Sequence, residues 1–81
     1  MSGPFQEIDI HGLNRKQAVV TIDAALRRAK GDIYTLRVIH GYHGGTALRD
    51  TIRAHYTGHP RVLRIEIGLN PGETDLILRE L

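Results

Sequence analysis

Apolar residues recur with two different periods along the 81-residue chain, and the switches between those periods mark six elements. Ile8 and Ile10 alternate with Glu7 and Asp9, the period-two signature of a half-buried strand over Glu7 to Ile10. Ala18, Ile22, Ala25 and Ala29, reinforced by Val19 and Leu26, then follow at helical spacing, with Lys16, Asp23, Arg27 and Lys30 opposite. Asn14 and Gln17 form a capping box ahead of this helix, and Gly31 is placed to close it as a left-handed C-cap. A second strand runs from Tyr34 to Ile39. Thr46 reads as the N-cap of a second helix with Leu48, Ile52, His55 and Tyr56 on one face, stopped by Gly58 and Pro60. Arg61 to Gly68 is a third strand, Asn70-Pro71-Gly72 a turn, and Thr74 to Glu80 a fourth strand. The order is βαβαββ, with residues 1–6 as a tail and 7–81 as one domain without repeat or linker.

The strand patterns decide the architecture. Ile8 and Ile10, Leu36 and Val38, Leu63 with Ile65 and Ile67, and Leu76 with Leu78 each mark one apolar face. Asp9, Arg37, Arg64, Glu66, Asp75 and Arg79 occupy the other. A sheet buried on both sides would show near-continuous apolar runs instead. The expected fold is therefore α/β of the α+β type: a two-layer sandwich in which a mixed four-stranded sheet carries two helices on one face and leaves a charged face open. Right-handed crossovers put both helices on that one side, and the first two strands run parallel. If they are neighbours, their axes lie ~4.8 Å apart, and the loops after Ile10 and Ile39 leave the same edge. His11 and His40 are then expected within reach of one substrate, at the carboxyl edge where open sheets bind ligands.

Composition trims the possibilities. The length allows one domain with a modest core. There are no cysteines, which excludes disulfides and zinc–thiolate sites. No stretch approaches the ~20 apolar residues of a membrane span, and Met1 to Gln6 is too short and polar for a signal peptide, so a cytoplasmic protein without a membrane partner is expected. A formal charge of +2 is a weak signature for nucleic acid. Yet nine of the eleven cations are arginine, whose fork grips phosphate bidentately; a GC-rich coding bias explains the same count equally well.

Two segments carry candidate chemistry. Asp9 and His11 stand two apart at the end of a strand, so both project to the same side. His11 suits a general base or acid oriented by Asp9. Alternatively, Asp9, His11, His40 and His43 can share a divalent metal, or Asp9 can simply accept backbone amides at a helix entry. The second segment, His40-Gly41-Tyr42-His43-Gly44-Gly45-Thr46, is a glycine-rich loop running into a helix N-terminus, where backbone amides and the helix dipole favour an anion. Arg49, one turn in, can add a fork to a phosphate. No lysine follows the glycines as a Walker loop requires, and a plain strand-to-helix turn would also use glycines. Tyr42 can stack on a base, while His55 and His59 suit the negative end of the second helix.

These residues together resemble the Smr (small MutS-related) domain family. Ile8-Asp9-Ile10-His11-Gly12-Leu13 is similar to its L-D-x-H-G signature, and His40-Gly41 leading through glycines to Leu48-Arg49 is similar to its H-G-x-G-x-G-x-L-R signature. The resemblance covers residues 7 to 81. It implies a fold like the C-terminal domain of translation initiation factor three. It also implies endonuclease activity: DNA nicking in some members, and cleavage of messenger RNA at stalled ribosomes in others. By the same resemblance Asp9 and His11 are the catalytic pair, and His40, Gly41, Gly44 and Gly45, with Arg49 behind them, shape the nucleic-acid site; backbone amides from Gly41 to Thr46 are expected to hold its phosphates. The interval from His40 to Arg49 is one residue longer than the family pattern, and His43 stands where glycine is usual. RNA cleavage through the 2′-hydroxyl would require no cofactor, whereas DNA nicking would call for a divalent metal such as Mg or Mn. The other readings are a non-catalytic module that binds nucleic acid or the ribosome, and a binder of small phosphorylated metabolites.

Overall fold

A computed structural model describes residues 5–29, 31–41 and 46–80. The elements are β1 (Phe5–Asp9), α1 (Arg15–Arg28), β2 (Thr35–Ile39), α2 (Ala47–Tyr56), β3 (Arg64–Ile67) and β4 (Glu73–Ile77). The expected order βαβαββ is the observed one. The sheet order is β1-β2-β4-β3, with β1 parallel to β2 and with β4 antiparallel to both β2 and β3. Three strands thus end at one edge, where the β3–β4 hairpin also turns. β1 begins at Phe5, so Phe5 and Gln6 belong to the sheet and not to a tail.

Local chemistry explains most of the boundaries. Asn14 accepts the Gln17 amide at 2.8 Å, and the Gln17 side chain accepts the Asn14 amide at 3.1 Å, completing the expected capping box. The core gathers Ile10, Leu36, Val38 and Leu76 from one sheet face against Ile22 of α1 and Ile52 of α2, which shows both helices on the same side. Tyr56 is fully buried among them, its hydroxyl donating 2.7 Å to Asp23 of α1. Gly58, at φ +81, takes the left-handed conformation just past α2, as its position suggested.

Four expectations are corrected. Gly31 does not cap α1: the helix ends at Arg28 and Ala29 is the cap, extended, with its amide on Ala25 O. Arg61 donates 3.0 Å to the carbonyl of Leu26, so a distant guanidinium satisfies the helix end that a glycine was expected to close. β3 starts three residues late, because Val62 and Arg61 amides fold back onto His59. Leu63 and Ile67 are 61% and 69% exposed instead of lying in the core, since the two helices do not cover this edge strand. Arg79 does not stand on the open face; its guanidinium lies over Gly31 in the α1–β2 turn.

The open face is not simply solvated. In its middle row Glu7, Arg37, Asp75 and Glu66 stand side by side across β1, β2, β4 and β3. Arg37 grips Asp75 bidentately at 2.7 and 2.9 Å, lies 4.4 Å over the Phe5 ring, and is almost buried together with its partner. This row ties three strands together.

Candidate nucleic-acid site

Asp9 is the last residue of β1, and the chain turns at once behind it. Leu13 N bonds Ile10 O at 3.1 Å, and Gly12 sits at the third position of this turn with φ +81, a conformation that favours glycine. The turn brings His11 back over Asp9. One carboxylate oxygen, Oδ1, accepts both the His11 backbone amide at 3.0 Å and the ring Nδ1 at 2.6 Å. These bonds, the ring one first, hold the Asp9 carboxyl below its ordinary pKa. An ionised carboxylate has no proton to give, so Nδ1 carries the hydrogen. Nε2 of a neutral ring is therefore left with its lone pair. Side-chain exposures of 71% for His11 and 54% for Asp9 put that nitrogen within reach of a large substrate.

The second motif meets the first at Gly41. Ile10 N bonds Ile39 O at 2.9 Å, extending the β1–β2 pairing to the end of both strands. Gly41 then takes φ +75, and a β-carbon there would lie 3.8 Å from the His11 β-carbon. The two histidine–glycine steps do converge on one sheet edge, as the parallel pairing required.

His40 does not join His11 in facing a ligand. It is 6% exposed, and both ring nitrogens are engaged: Nδ1 donates to Gly41 O at 2.7 Å, and Nε2 meets Thr74 Oγ1 at 2.8 Å. The amides of His40 and Gly41 both donate to Gly72 O, at 2.9 and 3.0 Å. The β3–β4 hairpin therefore clamps the start of the glycine loop, and His40 is part of the clamp. Thr74 and Gly72 are the site-shaping residues that sequence reasoning missed; both lie more than thirty positions from His40, and no local pattern marks them.

Gly44 and Gly45, with Tyr42 and His43, lie outside the described residues. Thr46 is the N-cap of α2 by position, but its hydroxyl donates to Asp50 at 3.0 Å and not to a backbone amide. Arg49 leans on the same Asp50 at 3.2 Å. Arg15 and Lys16, exposed in an α1 first turn that carries no acid, add two cations close in sequence to His11. Among the described residues no group of three or more histidines or carboxylates could hold a metal. His40 could ligate one only by giving up a buried hydrogen bond. The open face carries Glu7, Asp9, Glu66 and Glu73, with Arg37 committed to Asp75 and Arg64 paired with Glu66 and Glu80, so its charge is predominantly negative.

The Smr domain profile matches residues 8–71, which include both histidine–glycine motifs. The chain belongs to the Smr domain family. This Smr domain is also similar to the crystal structure of the Smr domain of Thermus thermophilus MutS2, with 32% sequence identity and a TM-score of 0.83. That match covers 93% of this chain and 99% of the other. No curated protein sequence matches the chain. The family has nuclease and nucleic-acid-binding roles, and among the described residues no helix is long and apolar enough to cross a membrane.

Proposed function

We propose that this Smr domain is an endonuclease that cleaves RNA in preference to DNA, with His11 as general base and Asp9 as its orienting partner. One observation carries the reading: Asp9 Oδ1 holds His11 Nδ1 at 2.6 Å on an exposed sheet edge, leaving Nε2 available. Nε2 removes the proton of a ribose 2′-hydroxyl, and that oxygen attacks the adjacent phosphorus. The bond to the 5′ oxygen breaks, giving a 2′,3′-cyclic phosphate, and the leaving oxygen takes a proton from solvent or from the imidazolium. Backbone amides of the loop beyond Gly41, whose own amide is already bonded to Gly72 O, are assigned with Gly44, Gly45, Thr46 and Arg49 to the charge developing on phosphate. His40 acts behind them by holding the loop to Thr74. Metal-assisted DNA nicking has weaker support, because Asp9 and His11 are bonded to each other and no third ligand accompanies them among the described residues.

A second reading is a non-catalytic nucleic-acid or ribosome-binding module. The inward-turned His40 favours it, since only one imidazole of the two motifs faces the edge among the described residues. The deciding experiment incubates end-labelled single-stranded RNA with the wild-type protein and with an Asp9→Ala/His11→Ala variant, with and without EDTA. Cleavage by the wild type alone, persisting in EDTA and abolished by 2′-O-methyl RNA, is the expected result. Salt-dependent binding without cleavage supports the module instead, and equal cleavage by both proteins sinks the assignment of Asp9 and His11.

A further inference from the structure

We propose that the free edge of β3 is the seam of a symmetric homodimer, in which two copies pair antiparallel about Ile65. β3 is an edge strand, bonded to β4 alone. Gly68 N bonds Glu73 O at 3.1 Å toward β4, so the alternation of an antiparallel ladder turns the amides and carbonyls of Ile67 and Ile65 outward. Those unpaired groups are a template for another strand. Natural edges are blunted by charge, proline or cover; here Ile65 and the largely exposed Ile67 stand on the helix side of β3, and the exposed Leu63 flanks its start, at a bend whose amide is bonded to Ile77 O.

Residue chemistry selects both the partner and the register. A twofold axis normal to the sheet preserves the two faces, so each side chain meets one from the same face of the second copy. With the axis at Ile65, Ile65 pairs with its own copy, and Ile67 comes level with Leu63 at the bend that precedes the strand of the second copy. On the open side Arg64 comes opposite Glu66, and Glu66 opposite Arg64. The neighbouring registers fail: centring on Arg64 sets Arg64 against Arg64, and centring on Glu66 sets Glu66 against Glu66. At present Arg64 pairs within its own chain with Glu66, at 2.6 Å, and with Glu80. All three side chains are about half exposed and free to exchange partners. The other edge is not self-complementary in this way, because centring β1 on Glu7 or on Ile8 opposes carboxylates. Pairing at β3 joins two four-stranded sheets into one and points the two Asp9–His11 edges in opposite directions, leaving both sites open.

The test is light scattering coupled to size exclusion, over a range of protein concentrations, on the wild type and two charge reversals. Arg64→Glu sets carboxylate against carboxylate across the seam, and Glu66→Arg sets guanidinium against guanidinium. Each reversal should weaken the dimer at least about tenfold, and an equimolar mixture of the two variants should restore it, because they complement each other. That restoration also shows that both variants fold. Should either reversal lose its circular dichroism signal, Ile67→Lys replaces it and should likewise give monomer. A wild type that stays monomeric at every concentration overturns the proposal, as does a dimer that none of the substitutions weakens.

Discussion

The imidazole of His40 and the hydroxyl of Thr74 are joined across the β2–β4 seam at 2.8 Å, inside the protein. Because Nδ1 must donate to the Gly41 carbonyl, Nε2 of the neutral ring accepts from Thr74. A histidine of the family signature is thereby a fixture that holds the glycine loop against the hairpin. Thr74→Val removes the donor and leaves a buried ring nitrogen without a partner, at a cost of about 1–3 kcal/mol. Chemical denaturation should show that loss. Binding of RNA should weaken as the loop loosens, while Asp9 and His11 remain bonded to each other. A Thr74→Ser protein, which keeps the hydroxyl, should recover most of both.

The Asp9–His11 pair makes a different prediction, because it is exposed and contributes little to folding. His11→Ala should lower the cleavage rate by about 10²–10⁴-fold with a midpoint of unfolding close to that of the wild type. Asp9→Asn keeps an acceptor oxygen but removes the charge that favours an imidazolium, and should lower the rate about tenfold or more. The depressed Asp9 pKa means that its small stabilising contribution is present above the ordinary value of 3.8 and fades as pH falls through the lower folded value. Over the neutral range Asp9 stays ionised, so its own titration should put no limb in the pH–rate profile there.

Gly12 tests whether the turn itself positions His11. Its φ of +81 disfavours any other residue, yet a β-carbon there would meet nothing within 4 Å. Gly12→Ala therefore adds backbone strain without a clash, at a cost of about 1–2 kcal/mol. If the chain relieves that strain by relaxing the turn, His11 moves off Asp9 and cleavage falls further than stability does. Comparing thermal midpoint with cleavage rate separates the two; a rate that merely follows the folded fraction would rule out a positioning role.

How much of this was legible in the sequence depends on the range of each interaction. The Asn14–Gln17 box and the Asp9–His11 pair span three and two positions, and both were readable because their partners are fixed by local geometry. The parallel course of β1 and β2 was readable because a helix joins them, whereas their pairing, which brings His11 and Gly41 together, stood as a condition until the fold supplied it. His40 was misplaced because its partners come from the hairpin, and a strand-end histidine looks the same whether it faces solvent or Thr74. Gly31 misled for a similar reason, since Arg61 had already satisfied the end of α1. Apolar alternation placed Leu63 and Ile67 in the core, yet alternation reports the face of a strand and not whether a helix reaches it.

Tyr56 supplies the last test, of the helix layer that supports the site edge. Its ring is fully buried, and its hydroxyl donates to Asp23 of α1 at 2.7 Å, so one side chain joins α2 to α1. Burial, and then the neighbouring Asp23 carboxylate, push the phenol pKa far above its ordinary value of 10.0. A raised folded pKa stabilises fully below the unfolded value and progressively less above it. Stability should therefore hold to about pH 10 and fall beyond it, as the unfolded phenol ionises and the folded one cannot. Tyr56→Phe keeps the ring and removes the hydroxyl, leaving Asp23 without its donor, at a cost of about 1–2 kcal/mol near neutral pH. The variant should also lose this alkaline decline, so the two unfolding curves should converge as pH rises above 10. Parallel curves would mean that Tyr56 is not the group responsible, and that the joint between the helices rests on ring packing alone.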